Sequence, residues 1–218
     1  MPTANSLPDK LKDARDAVYR GTILDIAENA FADHGYKSAR MKDVAKEARI
    51  SLATLYGFHV NKMALYRSVQ TRRLDTLMPV VTQAGAGKPL LEAMLGSMRA
   101  FLLFHTEHTA YLRMHLRQGM AWSVPDELLS PEQVEAWTVG LERMARAFRS
   151  GMDAGLFEPD DPELCARPTN SLHQVALAHW LDHSDTLSPD ALCDAQSRRF
   201  VRAFCVPERV PALLAHLP

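Results

Sequence analysis

Apolar residues recur along this chain at helical spacing. Ile23, Ile26, Ala27, Ala30 and Phe31 follow i, i+3, i+4, i+7, i+8, one buried stripe that predicts a helix over 17–34. Gly35 stands just past its end, where a left-handed residue costs least, and Tyr36 is expected to fold back onto the last turn. Met41, Val44, Ala45 and Ala48 mark a second, shorter helix, with Ser38 as its expected N-cap. Arg49-Ile50 reads as a turn. Ser51 is placed to cap a third helix from Leu52 to about His59. Val60-Asn61 breaks that helix, and Lys62 opens a longer one to about Gln83, with Leu65, Tyr66, Val69, Leu77 and Val81 on its apolar side and Arg72-Arg73 interrupting it.

Beyond a loop at Gly85-Ala86-Gly87 and Pro89, helices are predicted over 89–107, 108–120, 131–154, 161–183 and 188–205. Ser130-Pro131, Asp161-Pro162 and Ser188-Pro189 each put a capping side chain at the N-cap and proline at the first helical position, where its missing N–H costs nothing. Ser130 with Gln133 is a capping-box pattern. Gly155 ends the third of these helices, and Pro168 is expected to kink the fourth or delay its start. No alternating stretch of useful length occurs, so the fold class is all-α. Residues 1–17, with Pro2, Pro8 and alternating charges, read as a flexible N-terminal arm.

The stretch from Met41 to Leu65 has the layout of a helix-turn-helix. Its second helix is short, with small or hydroxylated residues, Ala53, Thr54 and Gly57, on the outer side. A slim exposed face suits entry into a DNA major groove. An ordinary helical hairpin would share the layout. Charge supports the first reading. Residues 1–73 carry 13 Lys and Arg against 8 Asp and Glu, a net of +5, and the remainder carries 12 against 18, a net of −6. A basic head on an acidic body fits DNA binding at one end only.

Ile23-Leu24, Ala27, Phe31, Gly35-Tyr36, Asp43-Val44-Ala45, Ala48, Ile50-Ser51, Thr54-Leu55-Tyr56, Asn61-Lys62 and Ala64-Leu65 together resemble the tetracycline-repressor (TetR) family of bacterial regulators. The close match covers about a quarter of the chain; Gly155-Leu156-Phe157 before the Asp-Pro helix start is a weaker echo. The resemblance implies a three-helix DNA-binding domain over 18–66 and a helical ligand-binding and dimerisation domain over 67–218. It implies a homodimer, paired through the last two helices, that is released from operator DNA by a small-molecule inducer; the polar N-terminus, without the apolar core of a signal peptide, gives the expectation of a cytoplasmic protein. Leu172, Val175, Ala176, His179 and Trp180, with Phe200, Val201 and Phe204, are the apolar residues of those helices. The residues expected at DNA are Ser38, Arg40, Lys42, Ser51, Leu52, Ala53, Thr54, Tyr56, Phe58, His59 and Lys62. The family usually has glycine where this chain has Arg49, and a polar aromatic before phenylalanine where it has Phe58-His59.

The segment 98–122 is rich in methionine, histidine and aromatics. His105, His108, Tyr111, Met114, His115, Trp122, Trp137 and Met144 are the candidate ligand-pocket residues, since such side chains make an adaptable wall. His105 and His108 lack the further partners that a zinc site needs, so no metal or other cofactor is expected. Three cysteines without CxxC spacing give no disulfide framework. No GxSxG elbow or glycine-rich phosphate loop is present, and nothing in the chain reads as an enzyme. The competing reading is a helical interaction or structural protein whose hairpin never touches DNA.

Overall fold

The computed structural model describes residues 7–117 and 128–217. Among the described residues the regular elements are all helices: α1 (Leu7–Ser38), α2 (Met41–Glu47), α3 (Leu52–Phe58), α4 (Lys62–Gly85), α5 (Leu90–Glu107), α6 (Thr109–Leu116), α7 (Pro131–Asp153), α8 (Pro162–Asp182), α9 (Pro189–Phe204) and α10 (Val210–Ala215). They form two compact units, 1–70 and 71–218, and the division falls inside α4.

In the N-terminal unit α1 starts at Leu7, so residues 7–17, expected as an arm, are helical. Gly35, at φ 73° and ψ 165°, breaks α1 where the sequence places its end. Tyr36 does fold back. Its ring centroid lies 6.2 Å from that of Phe31 and 5.1 Å from that of Tyr66. Ile23, Ala27, Phe31, Val44, Ala45, Leu55, Leu65, Tyr66 and Val69 are buried and form this unit's core.

The turn between α2 and α3 is a Schellman motif. The Arg49 N–H donates to the Lys46 carbonyl (3.1 Å) and the Ile50 N–H to the Ala45 carbonyl (3.0 Å). The motif needs a left-handed residue, and Arg49 sits at φ 56°, the only non-glycine with positive φ among the described residues. Ser38 does not cap α2. The N-cap position falls to Arg40, which makes no side-chain cap, because the chain is still turning out of α1 at Ser38.

In the C-terminal unit the three Pro-primed starts are formed as the sequence predicts. Ser130 and Gln133 close a reciprocal capping box. Asp161 accepts from Glu163 N and Leu164 N, and Ser188 from Ala191 N. Gly155, at φ 61°, closes α7 in a second Schellman motif, with Leu156 N–H donating to Gly151 O (2.8 Å) and Gly155 N–H to Met152 O (3.0 Å). That turn throws Phe157 back onto Gly151 so closely that a Cβ there would lie 2.2 Å from the ring. Phe157 packs tilted against Phe148 and edge-on against Phe200, and pairs with Cys205 in an isolated bridge.

α8 begins at Pro162 and runs through Pro168. Phe200, Val201, Ala176 and Trp180, offered by the sequence as a pairing face, are buried in this unit's own core. Leu164, Leu172 and Val175 of α8 remain exposed, Val175 at 67%. A guanidinium ties α5 to α9: Arg99 pairs with Asp194 at 2.9 Å and with Asp190. α10 has no counterpart in the periodicity reading, because its six residues are too few to show a period. No described helix is long and apolar enough to cross a membrane.

Candidate nucleic-acid interface

α3 is anchored by one residue. Leu55 is fully buried, while Leu52, Ala53, Thr54 and Tyr56 are exposed on the other side, and a Cβ at Gly57 would meet nothing within 4 Å. Ser51 caps the helix, accepting from Thr54 N at 3.0 Å, and its hydroxyl also meets Thr54 Oγ1 at 2.7 Å. The outward face is slim, with Tyr56 as its one large ring.

Beside this face lies a cavity of about 530 Å³, lined by Lys37, Ser38, Ala39, Arg40, Met41, Lys42, Leu52, Tyr56 and Lys62. Four of these are cations and none is an acid. Lys37, Arg40 and Lys42 are exposed. Lys37 was not among the expected residues. Its signal was a basic side chain in the last turn of α1, which helix-dipole chemistry alone would explain.

Two expected residues are placed differently. His59 is turned inward, 9% exposed. Ser68 Oγ donates to Ala64 O, so its lone pair is left to accept from His59 Nδ1 at 3.4 Å. Burial, and then the Arg20 charge, push the His59 pKa down. His59 is therefore a neutral packing residue, because it fills the inward position that phenylalanine usually takes. Phe58 is left half-buried on the other side, with the Arg20 guanidinium 5.8 Å from its ring centroid.

Lys62 is the second. Its ammonium donates to Lys37 O (3.0 Å) and Ala39 O (3.1 Å) and lies 4.7 Å from the Tyr36 ring centroid. Two of its three protons are committed within the protein, so it is not the open phosphate contact that the sequence suggested. Asn61 also gains a role: it caps α4 by accepting from Ala64 N at 2.8 Å.

A sequence profile described as "Bacterial regulatory proteins, tetR family" matches residues 23–69, the span that holds these elements. Over residues 23–69 the chain is similar to the tetR family. It is 26% identical over 162 residues to the HTH-type transcriptional repressor SCO4008 of Streptomyces coelicolor, covering 74% of this chain and 77% of that one. Its fold is shared with the ketosteroid transcriptional regulator KstR2 of Mycobacterium tuberculosis, at TM-score 0.71, 18% identity, and 86% and 95% coverage of the two chains. It is shared too with AibR, solved with isovaleryl coenzyme A and operator DNA, at TM-score 0.66, 19% identity, and 83% and 97% coverage.

In the C-terminal unit the structure gathers part of the expected pocket set. Tyr111 packs edge-on against His115 (4.4 Å), and His105 lies 5.8 Å from Tyr111 and 6.4 Å from His115. Phe101 and His173, which the sequence reading did not single out, join them: Phe101 is 4.4 Å from His105 and 5.6 Å from His173. Burial holds the pKa of His105 at about 4, of His115 at about 3 and of His173 at about 4, so all three are neutral imidazoles. His108 stacks on Phe104 instead (4.2 Å), and Met114 is buried. Trp137 carries the Arg167 guanidinium 5.6 Å from its ring, and Met144 is half-buried on α7. Trp122 lies outside the described residues. Among the described residues no three His, Cys, Asp or Glu side chains are grouped to hold a metal ion.

Proposed function

We propose that this chain is a ligand-responsive repressor that binds operator DNA as a homodimer and releases it when a small molecule enters the body. One observation carries the reading. The exposed face of α3 adjoins a cavity lined by Lys37, Arg40, Lys42 and Lys62 without any carboxylate. Base edges are read by Leu52, Ala53, Thr54 and Tyr56, and phosphates are held by Lys37, Arg40 and Lys42, with Ser38 and Ser51 at the margins and Phe58 at the far end of the helix. AibR, similar in fold, is solved with isovaleryl coenzyme A and operator DNA, so this fold accommodates both a small molecule and DNA.

In the body, the ring cluster of Phe101, His105, Tyr111, His115 and His173 would bear on the ligand, since neutral imidazoles beside aromatic faces suit a largely uncharged molecule. Ligand favours a conformer whose head separation misfits successive major grooves, so affinity falls by linkage. The exposed Leu164, Leu172 and Val175 are the apolar surface available to a second copy.

The test is fluorescence anisotropy with DNA from upstream of the chain's own gene, between 50 and 200 mM salt. Affinity should fall steeply with salt, and Lys42→Met should reduce the slope of log K against log salt by about 0.9. Binding that is absent, or indifferent to salt and to Lys42, would leave the hairpin as an ordinary packing element.

A further inference from the structure

Lys62 stands at the start of α4, yet its ammonium is directed back to the junction between α1 and α2. The two carbonyls it ties, Lys37 O and Ala39 O, flank Ser38. That junction is a weak place in the backbone. Gly35 has already left helical geometry at φ 73°, α2 starts without a side-chain cap, and the carbonyls at the end of α1 have no helical successor to donate to them. A cationic donor is the strongest partner such carbonyls can find. The Tyr36 face beneath the ammonium holds it there by cation–π attraction. The same short segment carries Lys37, Arg40 and Lys42, the exposed cations of the cavity beside α3.

We infer that Lys62 is a positioning residue: it fixes the α1–α2 junction so that Lys37, Arg40 and Lys42 meet the DNA backbone together, and it touches no phosphate itself. This rests on the DNA-binding reading above. The contrast with a direct contact is quantitative. One phosphate contact contributes about 0.9 to the salt slope, which is about fivefold in affinity at 0.15 M salt.

The experiment measures operator affinity against salt for the full chain, for Lys62→Met, for Lys37→Met with Arg40→Met and Lys42→Met, and for all four together. Lys62→Met alone should weaken binding by about fivefold or more, because it displaces the other cations. In the Lys37→Met, Arg40→Met, Lys42→Met background it should change affinity by less than about twofold and leave the slope alone. A further loss of about fivefold with a further 0.9 off the slope would overturn the inference, since Lys62 would then be a contact of its own.

Tyr36→Leu, which keeps the lysine charge, is the second variant should Lys62→Met lose helix by circular dichroism. It should weaken binding in the same direction, and unchanged affinity would count against the tie. Amide exchange without DNA separates this inference from the function it rests on. Lys62→Met should speed exchange at Ala39 and in the first turn of α2, and unchanged exchange there refutes the tie whether or not the chain binds DNA.

Discussion

Arg49 offers the most direct test of the local physics. Its backbone is left-handed at φ 56°, and both hydrogen bonds of the Schellman turn depend on that conformation. An L-residue pays about 1–2 kcal/mol there, because Cβ crowds the following carbonyl. Arg49→Gly removes the clash, but glycine also gives the unfolded chain more freedom, which takes back about 0.4–1 kcal/mol. The net gain is about 0.5–1 kcal/mol. For a unit of this size that is a rise of about 2–8 °C in the unfolding midpoint of the N-terminal unit. Differential scanning calorimetry reads the midpoint, and the tryptophans, all at or beyond residue 122, report the body by fluorescence. Arg49→Ala is the control, since it shortens the side chain but keeps Cβ, and its midpoint should not rise. A lower midpoint for Arg49→Gly, or an equal gain for Arg49→Ala, would refute the argument from φ.

Gly151→Ala should destabilise the body by about 1–3 kcal/mol, since the added methyl would sit 2.2 Å from Phe157 and that ring is held between Phe148 and Phe200; urea midpoints by tryptophan fluorescence measure it, and an unchanged midpoint counts against the packing. Ser51→Ala should cost about 1 kcal/mol by uncapping α3, read as a lower midpoint of the N-terminal unit, and wild-type stability would mean that the cap is dispensable. The body should weaken in acid. His105, His115 and His173 take protons near 6.5 when unfolded but only at about 4, 3 and 4 when folded, so stability is full above pH 6.5 and falls as pH drops toward 4. Each contributes up to about 1.4 kcal/mol per pH unit in that window, and a urea midpoint unchanged between pH 7 and 5 would contradict the buried neutral histidines.

The Pro-primed helix starts and the glycine stops were legible in the chain because they depend on neighbours a few residues apart. Ser130, Asp161 and Ser188 with their prolines, Gly35 and Gly155 as stops, and the period of Ile23, Ala27 and Phe31 all act within one or two turns. The slim face of α3 was legible for the same reason: Leu55 is buried and Ala53, Thr54 and Tyr56 are not. What the chain alone left undecided depends on contacts between segments far apart. Lys62 reads as an open cation until the carbonyls of residues 37 and 39 are brought beneath it, and Phe58 and His59 compete for one inward place that only α4, through Ser68, assigns. His173 lies 68 residues beyond His105, so no spacing rule joins them; packing of α8 on α5 does. Periodicity states which face of a helix is apolar, but which other element covers that face is settled only by folding, and there the roles of Lys62, His59, Phe200 and Val201 were decided.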